Sequence, residues 1–172
     1  CIVCVAGKYG DQTGQIAPGT GSGSGDGCKN CGKGKYSSAQ GATADSQCNS
    51  CSPGEYSALA AQISASSCIN CVVGKYGDTD GATTIGACKP CTVGVEFQDV
   101  AGQPACKSAA CEAGTYSTAT DTATAPTCAN CVAGRYSGAT GLTKSDQCDK
   151  CPLGTWLNTT GARSRNTCIS CV

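Results

Sequence analysis

The segment CNSCSPGEYS at residues 48–57 decides the fold of this 172-residue chain, because its pattern recurs along the whole length. A C-x-x-C pair is followed after two further residues by a glycine, and an aromatic residue lies two positions beyond that glycine. From Cys31 onward, the second cysteine of each pair recurs with a period of 20 residues. A fixed period of this size predicts an array of small structural repeats.

Every unit carries the glycine and an aromatic residue, and the aromatic is displaced by one position in the fifth unit. The glycines are Gly7, Gly34, Gly54, Gly74, Gly94, Gly114, Gly134 and Gly154. The aromatic residues are Tyr9, Tyr36, Tyr56, Tyr76, Phe97, Tyr116, Tyr136 and Trp156. Small residues such as Gly41-Ala42-Thr43 lie mid-loop, where a turn reverses the chain. Each unit is therefore predicted to form two short extended segments around a turn.

Two irregularities interrupt the pattern. The first unit is lengthened by a Gly/Ser-rich stretch at 19–27, whose composition predicts a flexible loop that bulges outward. In the fifth unit, the loop from Cys91 to Cys106 is two residues short and the gap from Cys106 to Cys111 is two residues long. Because the changes cancel, the repeat-to-repeat distance is expected to matter physically, as in a stack where each unit contacts its neighbours.

The composition favours cross-links over an apolar core. Leu, Ile, Val and Phe together supply only 20 of the 172 residues, whereas cysteine supplies 18. A cysteine content above a tenth is typical of disulfide scaffolds. The sequence therefore predicts a small disulfide-rich, mainly β protein: a linear array of about eight 20-residue hairpin units that form an elongated rod with little or no helix. The predicted units are 1–30, 31–50, 51–70, 71–90, 91–110, 111–130, 131–150 and 151–172.

Charge and hydropathy exclude several classes of partner. Twelve Lys and Arg balance twelve Asp and Glu, with no basic run, so nucleic-acid binding is not expected. No apolar run approaches the roughly 20 residues of a membrane span, and no signal peptide precedes Cys1, so a soluble, processed or excerpted segment is expected. The even number of cysteines predicts an oxidising compartment, hence an extracellular or cell-surface location.

The motif C-x-x-C-x-x-G-x-Y-S, seen at 48–57 and again at 128–137, resembles the ephrin-receptor-like cysteine-rich repeat of extracellular proteins. It is also similar to the half-modules of tumour-necrosis-factor receptors and to the periodic-cysteine surface antigens of protists. The resemblance covers the whole chain. It implies a stalk, coat, matrix or appendage protein, and it does not imply catalysis by the repeat.

Disulfides are favoured over zinc as the role of the cysteines. Nine pairs do not divide into whole Cys4 sites, and the chain has no histidine, so no metal and no cofactor is expected. An interlaced pairing remains an alternative to the favoured sequential one, in which the second cysteine of each pair bonds the first cysteine of the next. The sequential bridges are Cys4 to Cys28, Cys31 to Cys48, Cys51 to Cys68, Cys71 to Cys88, Cys91 to Cys106, Cys111 to Cys128, Cys131 to Cys148 and Cys151 to Cys168.

The remaining candidate sites are few. Without histidine the chain offers no Ser-His or Cys-His nucleophile, so an enzyme is not expected. The aromatic row is predicted to cover the disulfide and glycine of the adjacent unit, and a carbohydrate-binding ladder is the alternative. Asn158 begins an N-glycosylation sequon in a predicted loop.

These features favour a non-enzymatic structural protein, a building block of a filament, appendage or surface coat. Its expected partners are copies of itself in head-to-tail or helical assembly, with glycans as further candidates. The alternative is the stalk or ligand-binding ectodomain of a receptor, and the third hypothesis is a zinc-binding array. In the sequential scheme Cys1 and Cys171 lack partners, so the array is expected to continue or to join copies near these residues.

Overall fold

The fold is a series of short β-hairpins. The computed structural model describes residues 3–10 and 27–172, so Cys1 and nearly all of the insertion at 19–27, with its predicted bulging loop, lie outside the described residues. In these two ranges the strands pair as eight two-stranded antiparallel hairpins, and no α-helix occurs. The predicted small, disulfide-rich, mainly β repeat array is therefore confirmed.

In the described ranges, sixteen strands of two or three residues form the hairpins, and each odd-numbered strand pairs with the next. They are β1 (Lys8–Gly10), β2 (Cys28–Asn30), β3 (Lys35–Tyr36), β4 (Asn49–Ser50), β5 (Glu55–Tyr56), β6 (Ile69–Asn70), β7 (Lys75–Tyr76), β8 (Lys89–Pro90), β9 (Glu96–Phe97), β10 (Lys107–Ser108), β11 (Thr115–Ser117), β12 (Cys128–Asn130), β13 (Arg135–Tyr136), β14 (Asp149–Lys150), β15 (Thr155–Trp156) and β16 (Ile169–Ser170). Single turns of 3₁₀ helix cover Asp45–Gln47, Ala65–Ser67, Ile85–Ala87, Ser145–Gln147 and Arg165–Thr167.

Each 3₁₀ turn ends at the residue before the first cysteine of a pair. In the second repeat, the Cys48 N–H donates to the Asp45 carbonyl at 3.0 Å and closes the turn. The Gln47 side-chain oxygen accepts from the backbone N–H of Thr43 and of Ala44, at 2.5 and 3.2 Å. Because the glutamine satisfies donors that would otherwise be orphaned at the start of the turn, it fixes the path of the loop into β4.

The chain divides into two compact units. The first comprises Cys1–Val72, Tyr76–Lys89 and Gly102–Ala105, and the second comprises Val73–Lys75, Pro90–Ala101 and Cys106–Val172. Within each unit, three kinds of backbone hydrogen bond recur between successive repeats, and most junctions have all three. The backbone N–H of the motif glycine donates to the carbonyl of the residue that follows the aromatic of the next repeat. The N–H of the residue after the repeat's own aromatic donates to a carbonyl in the loop of the next repeat. An N–H of that loop donates in turn to the carbonyl of the second cysteine of the first repeat.

In the first unit, these bonds join Gly34 N to Ser57 O at 2.9 Å, Ser37 N to Gln62 O at 2.9 Å and Ala61 N to Cys31 O at 2.8 Å. In the second unit, they join Gly114 N to Ser137 O at 2.8 Å, Ser117 N to Leu142 O at 2.7 Å and Gly141 N to Cys111 O at 2.7 Å. We call this set of bonds the inter-repeat ladder. It connects backbone to backbone, so it depends on spacing more than on side-chain identity.

The core is made of cystines and small residues. Its buried members include Cys31, at 0 % exposure, together with alanines such as Ala42 and Ala82 in the loops. The residue after the aromatic is also buried, as at Ser57 (2 %) and Ser117 (3 %). Its N–H and carbonyl both belong to the inter-repeat ladder, which brings two backbones close together, and in six of the eight repeats this residue is serine or glycine.

Contacts also reach the second repeat along, which the expectation of contact between neighbours alone did not include. A Cβ built on Gly7 would lie 2.5 Å from the carbonyl oxygen of Ala61, and one built on Gly114 would overlap the carbonyl of Gly161. The Arg163 guanidinium donates to the Glu112 carboxylate at 2.9 Å across the same interval. A change in the distance from one repeat to the next would therefore disturb two later repeats, which explains why the two length changes in the fifth repeat cancel.

Gly114→Ala is expected to destabilise the second unit more than the matched change Gly134→Ala. Both glycines have positive φ, +82° and +79°, so each alanine costs about 1–2 kcal/mol of backbone strain. Only at Gly114 does the new methyl meet another backbone, because nothing lies within 4 Å of a Cβ at Gly134. This overlap should add about 1–3 kcal/mol. Thermal unfolding with the disulfides intact measures the difference, and equal losses would contradict the contact.

Candidate functional site

Among the residues that the structure describes, eight disulfides each close one repeat. They are Cys4–Cys28, Cys31–Cys48, Cys51–Cys68, Cys71–Cys88, Cys91–Cys106, Cys111–Cys128, Cys131–Cys148 and Cys151–Cys168. Their Cα atoms lie 5.5–6.0 Å apart, within the range that a disulfide requires. The pairing is sequential and not interlaced. These sixteen sulfurs are held in covalent bonds, so they do not serve as zinc thiolates.

Most of these bonds close a loop with a sequence separation of 17 residues, whereas Cys91–Cys106 spans 15 and Cys4–Cys28 spans 24. A cross-link of this span stabilises a fold by about 3 kcal/mol in the chain-entropy model. Eight such loops compensate for the scarcity of large apolar side chains. Regularly spaced structural disulfides of this kind are typical of an extracellular cysteine-rich repeat protein.

Cys171 is a free, exposed thiol. Its backbone N–H donates to the Gly154 carbonyl at 2.8 Å, as the second cysteine of earlier pairs does one repeat before, for example Cys151 to Gly134 at 2.9 Å. Cys171 is therefore held in the same backbone position as cysteines that form disulfides. Cys1, the other cysteine that the sequential scheme leaves over, lies outside the described residues.

The aromatic residues lie in the first strand of their hairpins. Tyr9, Tyr36, Tyr56, Tyr76, Phe97, Tyr116, Tyr136 are partly buried, and Trp156 is 47 % exposed. Tyr116 packs against a cluster formed by Cys131, Leu142 and Cys148, which belongs to the next repeat. The Tyr116 backbone also forms a parallel bridge with Leu142. In the second unit a ring thus covers the disulfide of the repeat that follows it.

Inside each hairpin the aromatic residue pairs with the residue that follows the first cysteine of the next pair. Trp156 faces Ile169, for example, and Phe97 faces Lys107. The Lys107 ammonium lies 5.6 Å from the centroid of the Phe97 ring, a cation–π distance. The one-residue displacement of Phe97 therefore leaves the hairpin register unchanged.

Two exposed ion pairs occupy equivalent places on successive hairpins. Lys89 donates to Asp78 at 2.8 Å, and Lys107 donates to Asp99. The hydrogen bond from Lys89 lowers the pKa of Asp78 and raises the pKa of Lys89 in return. The bond from Lys107 likewise lowers the pKa of Asp99. Because the carboxyl pKa values are lowered, the pairs stabilise the fold at neutral pH and lose that contribution as the pH falls through the acid range.

Asn158, the sequon asparagine, is exposed and directly follows the buried Leu157. In the described ranges, no group of three or more His, Cys, Asp or Glu side chains is placed to hold a metal ion. No helix in the same ranges is long and apolar enough to cross a membrane.

Sequence reasoning missed the residues that carry the inter-repeat ladder. The serine after the aromatic belongs to the repeat motif, but the motif alone predicts no role for it. Its signal was available, because this position is serine or glycine in six of the eight repeats, as at Ser37 and Gly77. A small residue that recurs beside an aromatic indicates close backbone approach.

No protein-family model matches the chain, and no curated protein matches it. The repeat geometry is therefore the basis on which its function is inferred.

Alkylation should label few thiols. If the protein is denatured without a reductant, at most two of its 18 cysteines are expected to react with iodoacetamide, because sixteen are bonded within their own repeats. Reduction should expose all of them. Intact mass spectrometry counts the adducts, and a result in which most thiols react before reduction, with stoichiometric bound zinc, would overturn the disulfide assignment.

Tyr116→Ala should cost more stability than the matched change Trp156→Ala. The Tyr116 ring packs on the Cys131–Cys148 disulfide and Leu142, so its loss should cost about 1–3 kcal/mol, below a full core value because the ring is partly buried. Trp156 is half exposed, so the larger side chain should matter less. Limited proteolysis in the 131–150 repeat gives the readout. Unchanged cleavage for Tyr116→Ala together with lost polysaccharide binding would favour the carbohydrate-ladder alternative.

Proposed function

We propose that this chain is a non-enzymatic structural protein, the building block of an extracellular filament, appendage or surface coat that assembles with copies of itself. The observation that carries the proposal is the inter-repeat ladder. Each repeat binds the next through backbone groups, for example Ser137 N to Ala162 O at 3.0 Å. Such an interface repeats along the chain without a specialised side-chain site.

The chemistry of the described residues supports a structural role over catalysis. The lowered pKa values belong to exposed carboxyls, Asp78 and Asp99, and each is explained by its lysine partner. Groups poised for acid–base catalysis are usually shifted by burial within a cleft. The cysteines of the described residues form disulfides, with the exception of Cys171, which is the one free thiol among them.

Self-assembly would use a contact between two different surfaces of the chain. A repeat array has two different ends, so copies that join end to end make a heterologous contact, which produces a ring or an open helical filament. The resemblance to ephrin-receptor-like repeats agrees with a stalk or coat. Exposed Asn158 would carry a sugar on the surface of such an assembly.

Assembly should depend on protein concentration and on the oxidation state of the thiols. The chain, secreted through an oxidising compartment and purified without reductant, is expected to form periodic filaments visible by negative-stain electron microscopy. Cys171→Ser should shorten them without changing the eight internal disulfides. A monodisperse monomer at every concentration, or one with a ninth internal bridge from Cys1 to Cys171, would contradict the proposal.

A further inference from the structure

The loop of the sixth repeat departs from the shape that five other repeats share. Its disulfide, Cys111–Cys128, has the usual sequence separation of 17 residues. The second, third, fourth, seventh and eighth repeats all form a 3₁₀ turn just before the closing cysteine, as at Arg165–Thr167. The equivalent residues of the sixth repeat, 125–127, form no such turn, and β12 begins directly after them.

Pro126 explains why the turn is missing. The first residue of the turn would be Ala125, and the residue before a proline is driven out of the helical region towards extended conformations. Pro104 holds the same position in the fifth repeat, which also lacks the turn. In the sixth repeat the chain instead lengthens the hairpin by one backbone bond, because Thr118 N donates to Thr127 O at 2.9 Å.

Loss of the turn frees a hydroxyl group. In the eighth repeat, the Thr167 hydroxyl donates to the Ser164 carbonyl at 2.6 Å within the 3₁₀ turn. Thr127 occupies the same position in the sixth repeat, directly before the closing cysteine, and it is exposed. Its hydroxyl has no hydrogen-bond partner among the residues that the structure describes. The same residue type at the same position is therefore hydrogen-bonded in one repeat and free in the other.

The other threonines of this loop differ in the state of their hydroxyls. The Thr122 hydroxyl donates to the Gly74 carbonyl at 3.0 Å, and the residue is partly buried. The hydroxyls of Thr118 and Thr124 also donate hydrogen bonds. Thr120 is exposed, and its hydroxyl has no partner in the described part of the chain. The loop thus presents two exposed and free threonine hydroxyls.

Composition and charge favour a sugar over a phosphate as the group that such hydroxyls accept. The segment 118–127, TATDTATAPT, contains only Thr, Ala, Pro and one Asp. Threonine-rich segments with proline are typical of O-glycosylated stalks. Asp121 is the one charged residue of the segment, so the segment has no basic group to pair with a phosphate.

We propose that Thr127 is an O-glycosylation site, with Thr120 as a second acceptor in the same loop. The Thr127 Oγ1 attacks the anomeric carbon of a nucleoside-diphosphate sugar held by a glycosyltransferase. The glycosidic C–O bond forms while the bond from that carbon to the diphosphate breaks. The nucleoside diphosphate leaves with the electron pair, and the hydroxyl proton passes to a base of the transferase. The inference rests on the extracellular location that the proposed function includes, and not on self-assembly.

The test compares Thr127 with Thr167, since each lies directly before a closing cysteine. The unglycosylated chain, expressed in bacteria and refolded with its disulfides, is incubated with UDP-N-acetylgalactosamine and a polypeptide N-acetylgalactosaminyltransferase. Mass spectrometry with electron-transfer dissociation measures the sugar on each threonine over time. The same chain, reduced and alkylated, is the control, because unfolding breaks the hydrogen bond of the Thr167 hydroxyl.

In the folded chain, Thr127 should be modified about tenfold faster than Thr167, because the Thr167 hydroxyl must first break its hydrogen bond. Reduction and alkylation should lessen this preference. In folded Asn166→Pro, Thr167 should become an acceptor, since the new proline removes the turn as Pro126 does. Thr127→Val should lose the sugar at that position. Equal modification of the two threonines in the folded chain, or a preference that unfolding leaves unchanged, would overturn the inference.

The chain secreted by cultured animal cells should carry a sugar at Thr127 when mapped in the same way. An unmodified Thr127 in the secreted chain would also overturn the inference.

The two proposals fail separately. If filaments form from a chain whose Thr127 accepts no sugar, only this inference is wrong. If Thr127 is glycosylated while the chain never assembles, the self-assembling role is wrong and the modification site stands.

Discussion

The inter-repeat ladder is the interaction on which the rest of the structure depends. A hairpin of two-residue strands has almost no stability of its own. Each repeat gains it by pairing its backbone with the next, as where Ser57 N donates to Ala82 O at 2.9 Å. Backbone groups can meet in register only if the distance between repeats is constant. The constant period, the small buried residues and the tolerance for varied loops all follow from this requirement.

The disulfides and the inter-repeat ladder stabilise the fold in different ways. Each disulfide closes one loop and reduces the entropy of the unfolded chain, which no contact between repeats achieves. The ladder then orders the closed loops relative to their neighbours within each unit. The buried cystines, such as Cys31 at 0 % exposure, also take the place of the aliphatic core that the sequence lacks. This division suits the proposed structural role, because closed loops resist proteolysis while the repeated interface would provide a means of assembly.

The fifth repeat shows how strictly the spacing is maintained. Its loop is shortened and its aromatic displaced, yet Gln98 takes the ladder position that serine holds elsewhere, donating to Thr122 O at 2.8 Å. Gln98 is 2 % exposed, so a long polar side chain is accommodated where a small one is usual. Gly102 N still donates to Cys71 O at 2.9 Å. The local geometry of the fifth repeat differs, yet ladder bonds still join it to the repeat before it and to the repeat after it.

The sequence by itself predicted the class of fold and about eight hairpins, because a 20-residue period can be read directly from residue spacing, and it favoured disulfides over zinc as the role of the cysteines. It narrowed the disulfides to two schemes, and only the folded chain decided for the sequential one. The ladder and the contact of Gly114 with Gly161 two repeats on were decided by tertiary structure alone. Backbone groups are the same in every residue, so a sequence carries little signal for which of them meet.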